Sequence, residues 1–300
     1  MLAESLQSVE HFGLAEVSSV VIVDNGSIDG SLKFLELRDT ASLPVQIVRN
    51  TVNRGFAAAC NQGAALVEDA IVLFLNPDTR LFADSISVPM KFVSLPENSK
   101  VGIVGIRLVD EHGKTARSCA RFPGPRMFFL EALGLTRIKP FRHLGVQMTD
   151  WAHDSIADVD HVIGAFYMIR RTLFEQLGGF DERFFVYLED LDLSLRARQA
   201  GWRSAYLASA SAYHAGGGTS RQVKARRLFY SLRSKLLYGF KHFSNFDAIV
   251  VTVAVLMIEP VTRTGFAIAR GKLEELRHIA HAYWLLFRDL PALLTRRHRT

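Results

Sequence analysis

Glu189, Asp190 and Asp192 place three carboxylates within four residues, inside the stretch FDERFFVYLEDLDLSLR that runs from 180 to 196. Charges so close repel one another, and Phe184, Phe185, Tyr187 and Leu188 around them strip away water. Both effects raise a carboxylate's proton affinity and suit it to general-base work. The same acids also have a structural use: acids favour the first turn of a helix, and Asp192 stands four residues before Arg196. Perturbed carboxylates gather at functional sites, which favours the chemical reading here.

Asp78 closes LFLNPD, an apolar run cut short by Asn76 and Pro77. A carboxylate at the end of a buried strand is a hard oxygen ligand for Mg2+ or Mn2+, ions that combine one or two protein carboxylates with phosphate oxygens. Equally, the proline can end the strand while the aspartate caps the next segment. Asp24 in VDNGSIDGS has the same two uses, as a turn and cap residue or as an acceptor for a nucleotide base. His214 lies just ahead of Gly216, Gly217 and Gly218. Glycines let backbone approach phosphate closely, and a neutral imidazole beside them can ligate a metal, although a lone histidine is more often a packed or surface residue.

These groups need a scaffold. SVVIV (19–23), PVQIVRN (44–50) and IVLFL (71–75) are short apolar runs ending in turn formers, the pattern of buried strands. GSLKFLELRD (30–39) and RGFAAACNQGAALVED (54–69) read as helices between them. The alternation predicts a parallel α/β sheet, with ligands beyond the strands' carboxyl ends, where Asp24 and Asp78 fall. Further on, the pattern predicts a hairpin turn near His112 and Gly113, a strand over Gly164 to Arg170, a short helix closed by Gly178 and Gly179, and a helix over 188–200 ending at Gly201.

At 300 residues and 49% hydrophobic, the chain can bury one large core plus a smaller appendage. Two cysteines, Cys60 and Cys119, are too few for a disulfide framework and lack zinc-site spacing, which fits a reducing compartment. Charge is uneven: residues 221–300 carry 15 Lys and Arg against 5 Asp and Glu, and residues 1–220 carry 21 against 25. The expected division is therefore a body at 1–220 and a basic amphipathic helical extension at 221–300. In that extension Leu273, Leu276, Ile279, Tyr283 and Leu286 share one helical face. Basic residues interleaved with apolar stretches suit an anionic membrane surface better than nucleic acid, and none of the latter is expected as a partner. The apolar run Ile249 to Ile258 stops at Glu259 and Pro260, short of the roughly 20 residues that span a bilayer. Neither a transmembrane helix nor a signal peptide is expected.

VIVDNGSIDGS, NRGFAAACNQG, LFLNPDT, GAFYMIRRTLFEQLGGFDERFFVYLEDLDLSLRARQAGW and AYHAGGGTS follow one another over about residues 15–220. In this order they resemble the family 2 inverting glycosyltransferases of GT-A fold, in particular the rhamnosyltransferase-like branch. The resemblance implies a Rossmann-like α/β domain with a mixed, mainly parallel sheet flanked by helices. It also implies a nucleotide-diphosphate sugar donor, Mg2+ or Mn2+, and a hydroxyl acceptor on a glycan or polyprenyl-linked lipid. Carried over by position, Asp24 binds the pyrimidine base, and Asn53, Arg54 and Gly55 lie near the donor. Asn76, Pro77 and Asp78 stand where the family has Asp-x-Asp, with Asp78 the metal ligand and Asn76 replacing the first acid. His214 completes the metal site. Asp190 is the catalytic base that deprotonates the acceptor as it attacks the anomeric carbon from the opposite face, and Glu189 and Asp192 are the candidates for acceptor contacts. Family members open with a strand before the first helix, whereas MLAESLQSVEHFG resembles that helix already, so the sheet is expected to lack its first strand. The function expected is transfer of rhamnose or a related hexose in cell-envelope polysaccharide synthesis, on the inner face of the cytoplasmic membrane. Two other readings remain open at this level: a sugar nucleotidyltransferase, which would release pyrophosphate, and a non-catalytic sugar-nucleotide or membrane-binding module.

Overall fold

The computed structural model describes residues 1–37, 43–216 and 224–295. It divides into two compact units: Met1–Arg121, Trp151–Phe185 and Glu189–Gly216 form the first, and Phe122–Asp150, Val186–Leu188 and the described part of Gly217–Thr300 form the second. The boundary expected at 220 and 221 lies outside the described residues, as do Gly217 and Gly218. Residues 122–150, which that boundary would leave with the body, cluster instead with the tail.

In the first unit the apolar runs form strands where their pattern predicts them: β1 (Val20–Asp24), β2 (Val45–Arg49) and β3 (Ile71–Leu75). α1 (Leu2–Phe12) precedes them, and α2 (Phe56–Ala64) lies over β1, with Gly63 against the side chains of Val21 and Val23. The helix expected over 30–39 is a short 3-10 turn at Lys33–Leu37, and its last residues lie outside the described ones. The chain continues through β4 (Thr79–Leu81), α3 (Ser87–Ser94), β5 (Val101–Val109), β6 (Cys119–Ala120), α4 (Pro125–Ala132, in the second unit), β7 (Ala157–Val159), β8 (His161–Val162) and β9 (Phe166–Arg170). It closes with α5 (Arg171–Gln176), α6 (Glu189–Gln199) and β10 (Arg203–His214). The turn at Gly113 is present, since its N–H donates to Asp110 O at 3.0 Å.

The main sheet runs β3-β9-β5-β10-β4, with β7 also paired to β10. It is mixed, but only β5 and β10 run parallel, and β9 opposes both its neighbours. The expected predominance of parallel pairing is therefore not found. The cause is local: β9 enters the sheet at the end where β3 leaves it, with Phe166 opposite Leu75. β1 and β2 form a separate parallel pair, and among the described residues no strand joins them to β3. The buried core lies on the main sheet, where β5 is apolar and inaccessible along nearly its whole length and Phe166, Met168 and Leu207 pack with it.

The second unit consists of α4, α7 (Lys224–His242), α8 (Asn245–Val253), a π turn at Ala254–Ile258, α9 (Glu259–Ala269) and α10 (Glu274–Thr295). The helix from Asn245 to Ala269 is continuous over 25 residues, long and apolar enough by length and composition to cross a membrane, and only 28% of its most apolar window is buried. This corrects the expectation that the apolar segment stops at Pro260. The π turn takes up the register change forced by a residue without an N–H. Glu259 is buried as well, within 3.4 Å of Lys235 and 2.5 Å of Arg263, so its charge does not interrupt the exposed face.

Arg170 anchors the far end of β9. Its Nε donates to Val101 O at 2.8 Å and its Nη2 to Val93 O at 2.7 Å, tying β9 to the start of β5 and the end of α3. Arg170→Met would leave both carbonyls without these donors and should lower stability by about 2–3 kcal/mol. Urea denaturation checks this, and an unchanged midpoint would show that the anchor is dispensable.

Candidate active site

The base candidate is placed by helix α6 and the turn between β8 and β9. Asp190 Oδ1 accepts the N–H of Leu191 at 2.8 Å, and Oδ2 accepts the N–H of Gly164 at 2.7 Å. A Cβ on residue 164 would lie 3.0 Å from that same Oδ2, so only glycine brings backbone this close without displacing the carboxylate. Immediately before α6, Tyr187 and Leu188 both have left-handed backbones, φ 70° and 65°. Two consecutive non-glycine residues there store strain of order 1–3 kcal/mol each, the kind that clusters at functional sites.

The three neighbouring acids have separate fates. Asp192 is fully buried and bound to Arg196 Nε at 2.8 Å, while the guanidinium also donates to Leu177 O and Gly179 O. This removes it from the expected acceptor contacts, because a solvent-borne hydroxyl cannot reach it. Glu189 is 4% exposed and its Oε2 has no hydrogen-bond partner among the described residues. Burial, and then the charge of Asp190, push its carboxyl well above the ordinary range. Asp190 alone combines partial exposure, 17% of its side chain, with backbone donors on both oxygens.

At the other side of the turn, Asn76 N–H and Thr79 Oγ1 both donate to Ala165 O, at 3.1 and 3.2 Å. The tight turn that carries Asp78 is thus pinned to the residue next to Gly164. β4 and β10 pair antiparallel with Thr79 opposite His214, and this brings His214 Nε2 to 3.3 Å from Asp78 Oδ1, each side chain 13% exposed. The two groups expected to share a metal are therefore neighbours. Together they offer one carboxylate oxygen and one imidazole nitrogen, a donor pair that fits a divalent ion. Among the described residues no cluster of three or more His, Cys, Asp and Glu residues suited to a metal is found.

On the donor side, Asp24 ends β1 and its Oδ1 accepts the N–H of Ser27 at 3.0 Å, the turn role foreseen for it. Asn25 holds the next segment: its Nδ2 donates to Gly55 O at 2.9 Å, and its Oδ1 accepts from Asn50 Nδ2 at 2.9 Å. Asn50 also exchanges amide hydrogen bonds with Gln62, at 2.8 and 3.1 Å. Asn53 and Arg54 are exposed, and Asn53 Oδ1 accepts the N–H of Gly55 at 2.9 Å. Gly55 has φ 92°, and a Cβ there would come within 2.5 Å of Phe185 O, which itself accepts Phe56 N–H at 2.7 Å. Asn25, Asn50 and Gln62 were not singled out in the sequence, and neither were Gly164 or His161. Gly164 sits in the motif that carries the resemblance, but no spacing rule points to His161.

Residues 1–178 match Glycosyl transferase family 2, and residues 137–294 match Glycosyl transferase family group 2. The chain is 28% identical over 212 residues to an N-acetylglucosaminyl-diphospho-decaprenol L-rhamnosyltransferase of Mycobacterium tuberculosis, covering 65% of this chain and 66% of that protein. It is 28% identical over 176 residues to the rhamnosyltransferase WbbL of Escherichia coli, covering 57% and 62%. A low-salt glycan biosynthesis hexosyltransferase of Haloferax volcanii is 24% identical over 277 residues, covering 90% and 81%. The matches span just under two thirds of the length of the two rhamnosyltransferases. Among solved structures, a mannosyltransferase of Pyrobaculum calidifontis in complex with GDP-Man and Mn2+ superposes with TM-score 0.52 at 17% identity, over 96% of this chain and 83% of that one. The structure of GalNAc-T7 with UDP, GalNAc and Mn2+ gives TM-score 0.52 at 15% identity, over 71% and 40%. At such identities the likeness concerns the GT-A-type fold alone. With one family profile matching well over half its length, the chain belongs to glycosyltransferase family 2.

Proposed function

We propose that the protein transfers a hexose, rhamnose or a close relative, from a nucleotide-diphosphate donor to a hydroxyl of a lipid-linked or glycan acceptor in cell-envelope glycan synthesis, inverting the anomeric centre. The observation that carries this reading is the arrangement around Gly164 and Ala165, where one dipeptide fixes the carboxylate of Asp190 and the turn bearing Asp78. Support for the sugar and acceptor comes from the mycobacterial relative, named for L-rhamnosyl transfer and a diphospho-decaprenol acceptor.

In this reading Asp190 takes the proton of the acceptor hydroxyl on its solvent-facing lone pairs while Gly164 and Leu191 hold the carboxylate in place. Asp24 and the segment Asn53 to Gly55, secured by Asn25, form the nucleotide side. Asp78 and His214 are the residues that would hold Mn2+ or Mg2+, with diphosphate oxygens and water completing the ligand set. Bound there, such an ion supplies electrostatic stabilisation for the charge that develops on the leaving diphosphate.

The reading extends to the membrane. Phe246, Ile249, Val253, Met257, Val261 and Ile268 are all at least half exposed and recur every three, four or seven residues along one helix. The opposite side of this helix packs within its own unit, where Thr262 Oγ1 donates to Ala132 O at 2.7 Å. One apolar exposed face and one packed face fit a helix lying in a bilayer interface, with the tail's basic surplus facing anionic headgroups. The two unbridged cysteines are in keeping with the cytoplasmic face.

Asp190→Asn should reduce transfer at least about 100-fold while calorimetric binding of the nucleotide sugar stays near that of the parent; transfer at the parental rate removes Asp190 as the base. Gly164→Ala, which crowds the same oxygen, should lower kcat about tenfold with donor KM unchanged, and an unaltered kcat would show that the close approach is not needed. Phe246→Glu combined with Val261→Glu should abolish flotation with anionic vesicles. Flotation equal to the parent's would place membrane contact elsewhere.

A further inference from the structure

Asp190 is approached from one more direction. His161, on the two-residue strand β8, is 3% exposed, and its Nε2 lies 3.6 Å from Asp190 Oδ2. Its Nδ1 is 3.0 Å from Ser194 Oγ, which is in turn 3.0 Å from the hydroxyl of Tyr167. Ser194 and Tyr167 are both completely buried. The row Tyr167, Ser194, His161 therefore ends on the carboxylate assigned as the base.

Counting hydrogens decides which way the row points. Ser194 has one hydroxyl hydrogen and three places to send it: the carbonyl of Asp190, 3.0 Å away, the hydroxyl oxygen of Tyr167, also 3.0 Å away, or His161 Nδ1. Inside α6 that carbonyl already lies four residues before the N–H of Ser194, its ordinary helical donor. Were the hydroxyl spent on either oxygen, His161 would have to donate from Nδ1 and aim the bare lone pair of Nε2 at a carboxylate in a water-poor interior. That contact is repulsive. With the hydroxyl donated to Nδ1, the imidazole carries its hydrogen on Nε2, Tyr167 donates to Ser194, and each donor points towards Asp190.

Burial holds the proton affinity of His161 down against the pull of Asp190 and Asp160, so the ring is neutral. Burial likewise keeps Tyr167 protonated. The other titratable groups that face Asp190 do not offer it a hydrogen bond. On its own helix Asp192 is bound to Arg196 and Glu189 is buried, and from α2 Cys60 contributes a thiol whose proton affinity is raised by burial, then by Glu189 and Asp190.

We propose that His161, oriented by Ser194 and Tyr167, is a positioning residue whose neutral Nε2–H faces and fixes the Asp190 carboxylate. The 3.6 Å separation is longer than a hydrogen bond and is expected to shorten when substrate occupies the site, as catalytic contacts commonly do. The proposal deepens the glycosyltransferase reading and rests on Asp190 being the base. The tautomer that the proposal requires is a property of the free protein and can be read without substrate.

Nitrogen-15 NMR of the full chain with labelled histidine, with the His161 resonance assigned from a His161→Gln variant, reads the tautomer directly. A protonated Nε2 and an accepting Nδ1 are expected from pH 6 to 8. A proton on Nδ1, or a doubly protonated ring, overturns the proposal. Transfer kinetics provide the second reading. His161→Leu should lower kcat about tenfold with donor KM unchanged, and His161→Gln, which keeps a donor, should leave it near the parent's. Ser194→Ala and the nearly isosteric Tyr167→Phe should lower it by progressively less, and they carry the test should His161→Leu not fold. A kcat unmoved in all three refutes the role of His161. Loss of the base assignment would instead appear as retained transfer in Asp190→Asn, with the NMR results unaffected.

Discussion

Three hydrogen bonds at adjacent residues hold the site together: Gly164 donates its N–H to Asp190, and Ala165 offers its carbonyl to Asn76 and Thr79. Asp190 and Asp78, the proposed base and the proposed cation ligand, lie more than a hundred residues apart in the chain, yet each is fixed to the same short turn. That turn is firm because β9 comes directly after it, with Phe166, Tyr167, Met168 and Ile169 all buried and Arg170 anchored at the far end. The aim of the Asp190 carboxylate is thus inherited from a buried strand. A Cβ on residue 164 would lie 3.0 Å from the oxygen that accepts this backbone bond, so the carboxylate would have to give way slightly.

Three adjacent acids would be unstable if all were buried and ionised, and the fold treats each differently. Asp192 keeps its charge through Arg196, whose remaining donors are used on backbone carbonyls. Glu189 loses water without gaining a partner at Oε2, and its carboxyl is driven towards the neutral form. Asp190 keeps an opening to solvent and a backbone donor on each oxygen. Divergent environments for neighbouring carboxylates are how one cluster yields a single base. The left-handed pair Tyr187 and Leu188 just before them is consistent with a helix start whose position is set by function at some cost in backbone strain.

Much of this was legible in the sequence, and the gaps have physical causes. β1, β2 and β3 announce themselves as apolar runs closed by turn formers, and α6 by its leucine spacing and acidic first turn. β10 gave no such signal: RSAYLASASAYH is rich in Ala and Ser, poor strand formers, and is made a strand by burial of Ala205, Leu207, Ala210 and Ala212 in the main sheet. Missing β10 meant missing the pairing of His214 against Thr79, so the meeting of Asp78 with His214 rested on the family resemblance alone. Strand direction was misjudged for the same reason, because alternation in sequence says nothing of a strand such as β9 that enters between two others. Glu259 and Pro260 read as a stop since a local rule sees neither the π turn that absorbs the proline nor the partner of Glu259, Lys235, 24 residues away. His161 is the hardest case: its role depends on a serine one helical turn beyond the base and a tyrosine on the next strand.

The two halves of the site are not held with equal firmness. Asp190 and Asp78 are both tied to the turn before a strand buried in the main sheet, whereas Asp24 ends a strand that, among the described residues, pairs with β2 alone and is half-buried throughout. What gives the nucleotide side its shape is a set of side-chain amides, Asn25, Asn50 and Gln62, together with the left-handed Gly55 beneath Phe185 O. Elements with few buried apolar contacts open at lower free energy than core strands. A rigid chemical end and a more yielding nucleotide end suit a reaction in which the leaving group departs with the nucleotide. In the proposed reaction the Asp190 carboxylate would keep its aim throughout the transfer, while the surface around Asp24 would both grip and release the nucleoside diphosphate.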